Sequence, residues 1–437
     1  MKILLIAPSN RPFTKSNLVN SLGMNLHPKY NLLLLGSIAI ELGHEVRYLD
    51  ESFEDIPFND FYDIVGITCT TNKAIRAYEI ADIFRGKKIP VVIGGIHPST
   101  CPDEAGKHAD CIAIGEADET WPQILKDIEK NELKKIYSSV GKYYDLKGIP
   151  KIHYELIPKK VHYRHTGAIE VSRGCPFNCE FCSTHFFGEK YRTRPIDKVI
   201  ENINNLPDDY IIFMDDNPMG NKEFALQLFS EMKGMGKTWT SHSTIDIVKY
   251  PKLLKAIAES GCRNLIIGFD TLNIENLRST GKKINININY NEAVNIIHDY
   301  GIDIMAGFIL GFDHDTESTF EEIYNFVSRN KIFLPNYWIL TPYPGTKLFH
   351  RLNEAKRILS SDWNQYDSRH LVFKPANMPP EIFLERFHEM EKHSLSWGNI
   401  ITRGINNNNG YVNISRKLKF NIGLKFARKL GMEQYGE

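Results

Sequence analysis

The sequence predicts an α/β protein: an N-terminal Rossmann-like doubly wound sheet, then a partial (β/α)6 TIM-type barrel, then a C-terminal, mostly helical tail. Three observations predict it. Short runs rich in Val and Ile alternate with amphipathic segments up to about residue 130, the pattern of parallel strands covered on both faces and joined by helices. A second alternation, with six strand candidates, starts near residue 165. Beyond residue 350 the strand candidates stop and helix-period patterns remain. At 437 residues the chain is too long for one compact core. The expected divisions are 1–140 for the first sheet, 141–164 for a linker, 165–350 for the barrel and 351–437 for the tail.

In the N-terminal region strands are expected at 2–7 (KILLIA), 45–49 (EVRYL), 63–68 (DIVGIT), 90–95 (PVVIGG) and 111–115 (CIAIG). Amphipathic segments near 31–43, 73–86 and 120–130 lie between them. Ligands of such sheets sit beyond the carboxyl ends of the strands. The loops there read APSNRP, DESFED, TCTTNK, GGIHPST and GEADET, and they carry hydroxyls, amides and glycines suited to a polar ligand. Gly94 and Gly95 either admit close approach of a ligand or backbone, or simply make a tight strand-end turn. No GxGxxG follows the first strand, which argues against a dinucleotide site of the usual kind.

In the barrel region strands are expected at 167–172, 210–214, 238–242, 264–268, 303–310 and 336–341. Helices near 196–206, 221–234, 250–260, 290–300 and 317–330 separate them. Barrels of this kind carry their chemistry on loops at the strands' C-terminal ends. The loop after the first barrel strand reads RGCPFNCEFCST and gathers three of the chain's seven cysteines, Cys175, Cys179 and Cys182. Three thiolates on one short loop can hold three corners of a [4Fe–4S] cluster and leave the fourth iron open to a small chelating ligand. The rival is zinc, with His185 as a fourth ligand. Structural zinc usually takes two separated CxxC pairs, which this spacing does not provide.

CPFNCEFC matches CxxxCxΦC, with Phe181 as the aromatic residue Φ. On this motif the chain resembles the radical S-adenosylmethionine (SAM) superfamily. FMDDN (213–217), SHSTID (241–246), LIIGFDTLN (265–273), GIDIMAGFILGFDHDT (301–316) and LTPYPGT (340–346) resemble, in order, the superfamily's other strand ends. The resemblance implies that SAM chelates the open iron and that an external one-electron reductant feeds the cluster. It also implies that cleavage of SAM yields a 5′-deoxyadenosyl radical, which abstracts hydrogen. It implies SAM contacts from Phe181, Asp215, Asp216, Ser241, Ser243, Gly268 and Asp270, and from the backbone at Ile309 and Leu310. Asp215 and Asp216 stand where the superfamily has a Gly-Gly-Glu contact to the SAM amino group; either one equally suits a helix N-cap before PMGNKEFALQLF. Lys190, Arg192 and Arg194 either hold an anion beside the site or line a solvated loop.

Residues 32–50 and 91–125 are similar to the cobalamin-binding domain that precedes many radical SAM enzymes. That likeness implies cobalamin near Thr70, Thr71, Gly94 and Gly95. One departure matters: the cobalamin fold's Asp-x-His-x-x-Gly loop supplies a histidine to cobalt from below. Here the loop after the third strand is TCTTNKA, and His44 lies between helix and strand, so no lower ligand is identified.

Lys and Arg number 53, as do Asp and Glu. A zero net charge gives no global case for a nucleic-acid or anionic-membrane partner. Seven scattered cysteines are no disulfide framework, no apolar run is long enough to span a membrane, and the N-terminus lacks a signal cleavage site, so a cytoplasmic location is expected. In the tail, 377–400 reads as one amphipathic helix. The basic amphipathic stretch 411–431 either packs on the barrel or touches a membrane surface. The expected function is cobalamin-dependent methylation of an unactivated carbon on a small-molecule, lipid or natural-product substrate. The alternatives are radical rearrangement, oxidation or carbon–carbon bond formation without a cobalamin step, and a non-catalytic iron–sulfur or zinc scaffold.

Overall fold

The computed structural model describes residues 1–10, 27–159, 163, 166–187, 190–206, 208–405, 418, 421–423 and 425. Two six-stranded parallel sheets organise them. The first contains β1 (Lys2–Ala7), β2 (Glu45–Asp50), β3 (Ile64–Thr68), β4 (Val91–Gly94), β5 (Cys111–Ile114) and β6 (Ile136–Ser138), in the order β2-β1-β3-β4-β5-β6. Strand alternation sends Ile3 and Leu5 to one face and Leu4 and Ile6 to the other. Helices Tyr30–Glu41 and Thr120–Glu129 cover the first face through Leu33, Ile124 and Leu125. Helix Ala74–Gly86 covers the second through Ile80, Ala81 and Phe84. Both faces are sealed, so a ligand can be offered only the edge where the strands end. The sixth strand is an addition to the sequence reading; it is short, and Ile136 is 52% exposed, so it carries no apolar period.

The second sheet contains β7 (Gly167–Ile169), β10 (Tyr210–Phe213), β11 (Thr238–Ser243), β12 (Cys262–Asp270), β13 (Asp303–Leu310) and β14 (Leu334–Ile339), each beside its predecessor. β7 and β14 lie at opposite ends of the sheet and are not paired, as in an open partial barrel. One apolar core lies on its helix side: Trp239 stacks on Phe229 at 4.6 Å, and Leu265, Ile267, Phe269, Ala306, Phe308 and Tyr337 join the same cluster. The alternate positions, among them His242, Ile266, Gly307 and Trp338, therefore line the concave face. A Cβ on Gly307 would lie 2.6 Å from the Trp338 ring, so the glycine makes room for that indole.

The strand expected at 167–172 divides into β7 and β8 (Ser172–Arg173). Asp215 takes the Val171 and Ser172 N–H groups, which removes them from the ladder. β8 instead pairs antiparallel with β9 (Arg192–Thr193). The single helix expected at 377–400 is two, Pro380–Ser394 and Trp397–Ile405. Ser394 is buried with its hydroxyl 3.0 Å from Tyr337 Oη, and Arg403 donates to its carbonyl at 2.8 Å. The chain turns there and buries Leu395 against Phe333 and Leu334. Most of 411–431 lies outside the described residues. Of those described, Asn421 accepts from Arg403 at 3.1 Å and Lys425 donates to the Leu395 carbonyl at 2.6 Å. Among the described residues no helix is long and apolar enough to cross a membrane.

Candidate cluster and cofactor site

The β8–β9 ribbon is the stem of the cysteine loop, with Ser172 opposite Thr193 and Arg173 opposite Arg192. Gly174 begins the loop at φ +86°, where a side chain would be strained. Asp215 fixes the stem by accepting from Val171 N at 3.1 Å, from Ser172 Oγ at 2.6 Å and from Ser172 N. Burial pushes its carboxyl up to about 8, against the pull of those donors. The far side of the loop is held by neighbouring strand ends. Glu180 N donates to Thr280 O at 2.9 Å, Leu348 N to Glu180 O at 3.1 Å, and Lys347 Nζ to Asn178 Oδ1 at 3.0 Å.

Cys175, Cys179 and Cys182 are free cysteines on this anchored loop; Cys175 feels the charge of Cys182, and Cys179 that of both others. Burial raises all three, Cys179 to about 12, while Lys282 pulls Cys179 and Cys182 back. Among the described residues no three His, Cys, Asp or Glu side chains converge tightly enough for a single metal ion. His185, the nitrogen that the zinc reading would need, joins no such group; both its ring nitrogens are buried without a hydrogen-bond partner. A cubane asks for a different arrangement, because each thiolate binds a separate iron. Three thiols on a fixed loop, none in a disulfide, fit that group; Asn217 and Thr184 hydrogen-bond to Cys175 and Cys182 from beside the loop.

The remaining strand-end residues sort by what they touch. Phe181 packs against Phe312, ring centres 5.6 Å apart. Asp215 accepts from the loop stem. Asp216 keeps solvent-accessible surface yet is crowded by protein atoms; it accepts from Thr184 Oγ1 at 3.1 Å, and desolvation raises its pKa against that donor. Next to it Asn217 is buried, with its amide directed at the Cys175 thiol. A buried amide beside a carboxylate at the cysteine loop fits a polar ligand with donors and acceptors of its own. Ser241 and Ser243 are buried on the helix side, their hydroxyls turned to the His242 and Thr244 carbonyls. His242, between them, is exposed on the concave face, and burial of the whole strand lowers its pKa below the ordinary 6.5. Alternation outward from Trp239 was the signal for it.

Asp270 sits at φ +61° and pairs with Lys282 at 2.7 Å, so its carboxylate is also engaged. Burial works against the Lys282 charge, but Asp270 and Cys179 hold its pKa above the ordinary lysine value. A Cβ on Gly268 would lie 3.1 Å from Asp270 Oδ1 and 3.5 Å from Lys282 Nζ, so this glycine admits the ion pair. Ile309 is partly buried on the concave face, whereas the Leu310 side chain lies fully in the core behind it. Sequence reading missed Asn217 as well as Lys282.

The expected anion-binding cations do something else. Arg192 pairs with Glu116, and its Nη1 donates to the Tyr144 carbonyl at 2.9 Å. Arg194 is buried and donates to the Glu170 carbonyl at 3.0 Å. Lys190 is exposed. Arg173, unnoticed in the sequence, forms a two-pronged bond with Asp118 at 2.6 and 3.0 Å. These contacts tie the loop after β5 to the stem of the cysteine loop.

At the edge of the first sheet, Thr70 Oγ1 bonds Asn72 Oδ1 at 2.8 Å, and Thr71 is buried. Gly94 is partly buried at the end of β4. Gly95 has φ +112°, and a Cβ there would meet Cys69 O at 2.7 Å, so its close approach is to backbone. His44 Nδ1 lies 3.3 Å from the Met1 amine, at the amino end of the strands and away from the ligand edge. The polar loop edge itself, built from hydroxyls, amides and backbone, fits the amide rim of a corrin; no imidazole faces it from the loop after β3.

Residues 169–327 match the radical SAM superfamily model and residues 17–125 the B12 binding domain model. The chain is 32% identical over 398 residues to the bacteriochlorophyllide d C-8(2)-methyltransferase of Chlorobaculum tepidum, covering 86% of this chain and 88% of that one. It is 30% identical to the same organism's bacteriochlorophyllide d C-12(1)-methyltransferase, over 92% of this chain and 89% of the relative. In fold it is similar to the radical SAM methyltransferase TsrM of Kitasatospora setae, solved with cobalamin and a [4Fe–4S] cluster. The TM-score is 0.72 at 15% identity, over 98% of this chain and 99% of TsrM. The two parallel sheets are thus a cobalamin-binding unit and a radical SAM unit, served by a [4Fe–4S] cluster, SAM and cobalamin. Members of the superfamily act on small molecules with an external reductant. The chain belongs to the cobalamin-dependent radical SAM methyltransferase family.

Proposed function

We propose that this chain transfers a methyl group to an unactivated carbon of a small, largely apolar, ring-bearing acceptor. Cys175, Cys179 and Cys182 hold the cluster, and the acceptor lies against the concave face of the second sheet. Bound there, the cluster and SAM would supply a hydrogen-abstracting radical and cobalamin would supply the methyl group. The protein's own residues bind, orient and exclude. The anchored loop presents three thiols. Asp216 offers acceptor oxygens to an ammonium, and the Asn217 amide beside it carries both a donor and an acceptor. Ile266, Ile309 and Trp338 form apolar walls that keep water from a reactive centre. His242 gives the acceptor one hydrogen-bond partner among those walls.

The observation that carries this reading is the direct tie between the loop after β5 and the cysteine-loop stem, which brings both ligand edges to one place. The relatives support the choice of acceptor: two act on bacteriochlorophyllides, and a hopanoid C-2 methylase of Rhodopseudomonas palustris is 27% identical over 72% of this chain. The test uses the anaerobically reconstituted protein with dithionite, SAM bearing a trideuterated methyl group, and a bacteriochlorophyllide or hopanoid acceptor. The reading expects a labelled product formed together with 5′-deoxyadenosine and S-adenosylhomocysteine. Formation of 5′-deoxyadenosine with an unlabelled, rearranged product would replace it by radical chemistry without methyl transfer.

A further inference from the structure

The tie between the two units is an unusual way to hold a protein together. Arg173 meets three carboxylates: Asp118 with two prongs at 2.6 and 3.0 Å, Glu116 at 3.3 Å, and both Glu170 oxygens at 3.0 Å. Its side chain is 12% exposed and that of Asp118 only 4%. Arg192 closes the knot on the other side of Glu116. Buried ion pairs carry a desolvation penalty that often cancels their attraction, and an apolar contact of equal size would hold the units as well. What an apolar contact lacks is direction. A guanidinium that grips a carboxylate with two parallel bonds fixes orientation as well as distance.

Its place gives that direction a use. Arg173 stands two residues before Cys175, and Asp118 stands four residues past the end of β5, on the edge where the first sheet meets its ligand. A second polar contact between the units is looser: the Trp363 indole donates to both Glu104 oxygens at 2.9 and 3.1 Å, against a carboxylate side chain that is 37% exposed. One donor on an exposed acceptor leaves the angle free.

We propose that Arg173 is a positioning residue that sets the separation and mutual angle of the cobalamin-side loop Gly115–Asp118 and the cysteine loop. The claim rests on the family's two metal cofactors and not on the choice of acceptor. Misplacement by about 1 Å can cost about 100-fold in a reaction that needs aligned partners, so a rigid gauge has value beyond stability.

The test uses the full-length chain reconstituted anaerobically with iron, sulfide and hydroxocobalamin, then reduced. Iron and corrinoid are counted on each preparation. Electron paramagnetic resonance then reads the spin–spin splitting between cob(II)alamin and the reduced cluster. Arg173→Lys keeps the charge and loses the fork; Asp118→Asn removes the acceptor and leaves Arg173 its other partners. Both are expected to load both cofactors at the wild-type ratio and to lose the sharp splitting. Trp363→Phe, at the looser contact, is expected to keep it. Wild-type splitting in both Arg173→Lys and Asp118→Asn overturns the proposal. So does loss of iron from Arg173→Lys while Asp118→Asn behaves as wild type, because Arg173 would then serve the cysteine loop alone. A wild-type chain that loads iron but no corrinoid removes the family reading and the gauge together.

Discussion

The two sheets have the same number of parallel strands and opposite ways of meeting a ligand. In the first, both faces are sealed by helices, and Ile3 and Leu4 lie in different cores. Only the loop edge is left for chemistry. In the second, one core lies on the helix side, and the concave face keeps His242, Ile266 and Trp338 within reach of a guest. The difference follows from connection and curvature. A doubly wound sheet places helices on both sides, whereas a barrel places them all outside. A polar carrier fits an edge; an apolar acceptor and a radical need an enclosed face.

The strongest test of this contrast changes one residue type in both sheets. Cys179→Ala is expected to abolish cluster iron, its visible absorbance and 5′-deoxyadenosine formation. Cys111→Ala, in the core of the first sheet, is expected to leave iron content unchanged and to cost about 1 kcal/mol in thermal stability. Equal iron loss in both would erase the distinction.

Next in size are core truncations. Leu5, 1% exposed between β1 and its helices, should cost about 2–5 kcal/mol when changed to Ala. Ile266→Ala on the concave face should cost less than half of that and instead weaken acceptor binding, read by chemical denaturation and by KM. Gly95→Ala should cost about 1–3 kcal/mol, because it combines φ +112° with a clash against Cys69 O. Gly43→Ala, at φ +84° with nothing within 4 Å, should cost less, since it carries backbone strain alone.

The smallest effect is a pH dependence. The folded-state pKa of His242 lies below its ordinary value, so the unfolded chain binds the proton more readily. Its contribution is therefore full above pH 6.5 and is lost as pH falls through the lower, folded-state value. His242→Asn should flatten part of the loss in denaturation midpoint between pH 7.5 and 5.5. An unchanged slope would place the imidazole in open water.

The strands of both sheets were legible because apolar period and length specify them, and the cluster loop was legible because its three thiols are adjacent in sequence. What escaped was set by partners far along the chain. β7 ends early because Asp215, more than forty residues on, takes the Val171 and Ser172 N–H groups. The tail helix breaks at Ser394 because Tyr337 waits for its hydroxyl. Arg173 and Asp118 are 55 residues apart, and no local pattern links them. The two-residue period that buries Ser241 and Ser243 turns His242 to the concave face. Asp270 pairs with Lys282 across the intervening helix Ile274–Ser279, a partner no local pattern announces.

The central claim is that one chain holds a site-open cluster and a corrinoid together at facing loop edges. Electron paramagnetic resonance of the reconstituted, reduced protein, recorded before and after SAM is added, tests it most directly. The account predicts one [4Fe–4S] cluster and one corrinoid per chain, with a cluster signal that shifts when SAM binds its open iron. A cluster signal indifferent to SAM, in protein that carries both cofactors, would contradict it.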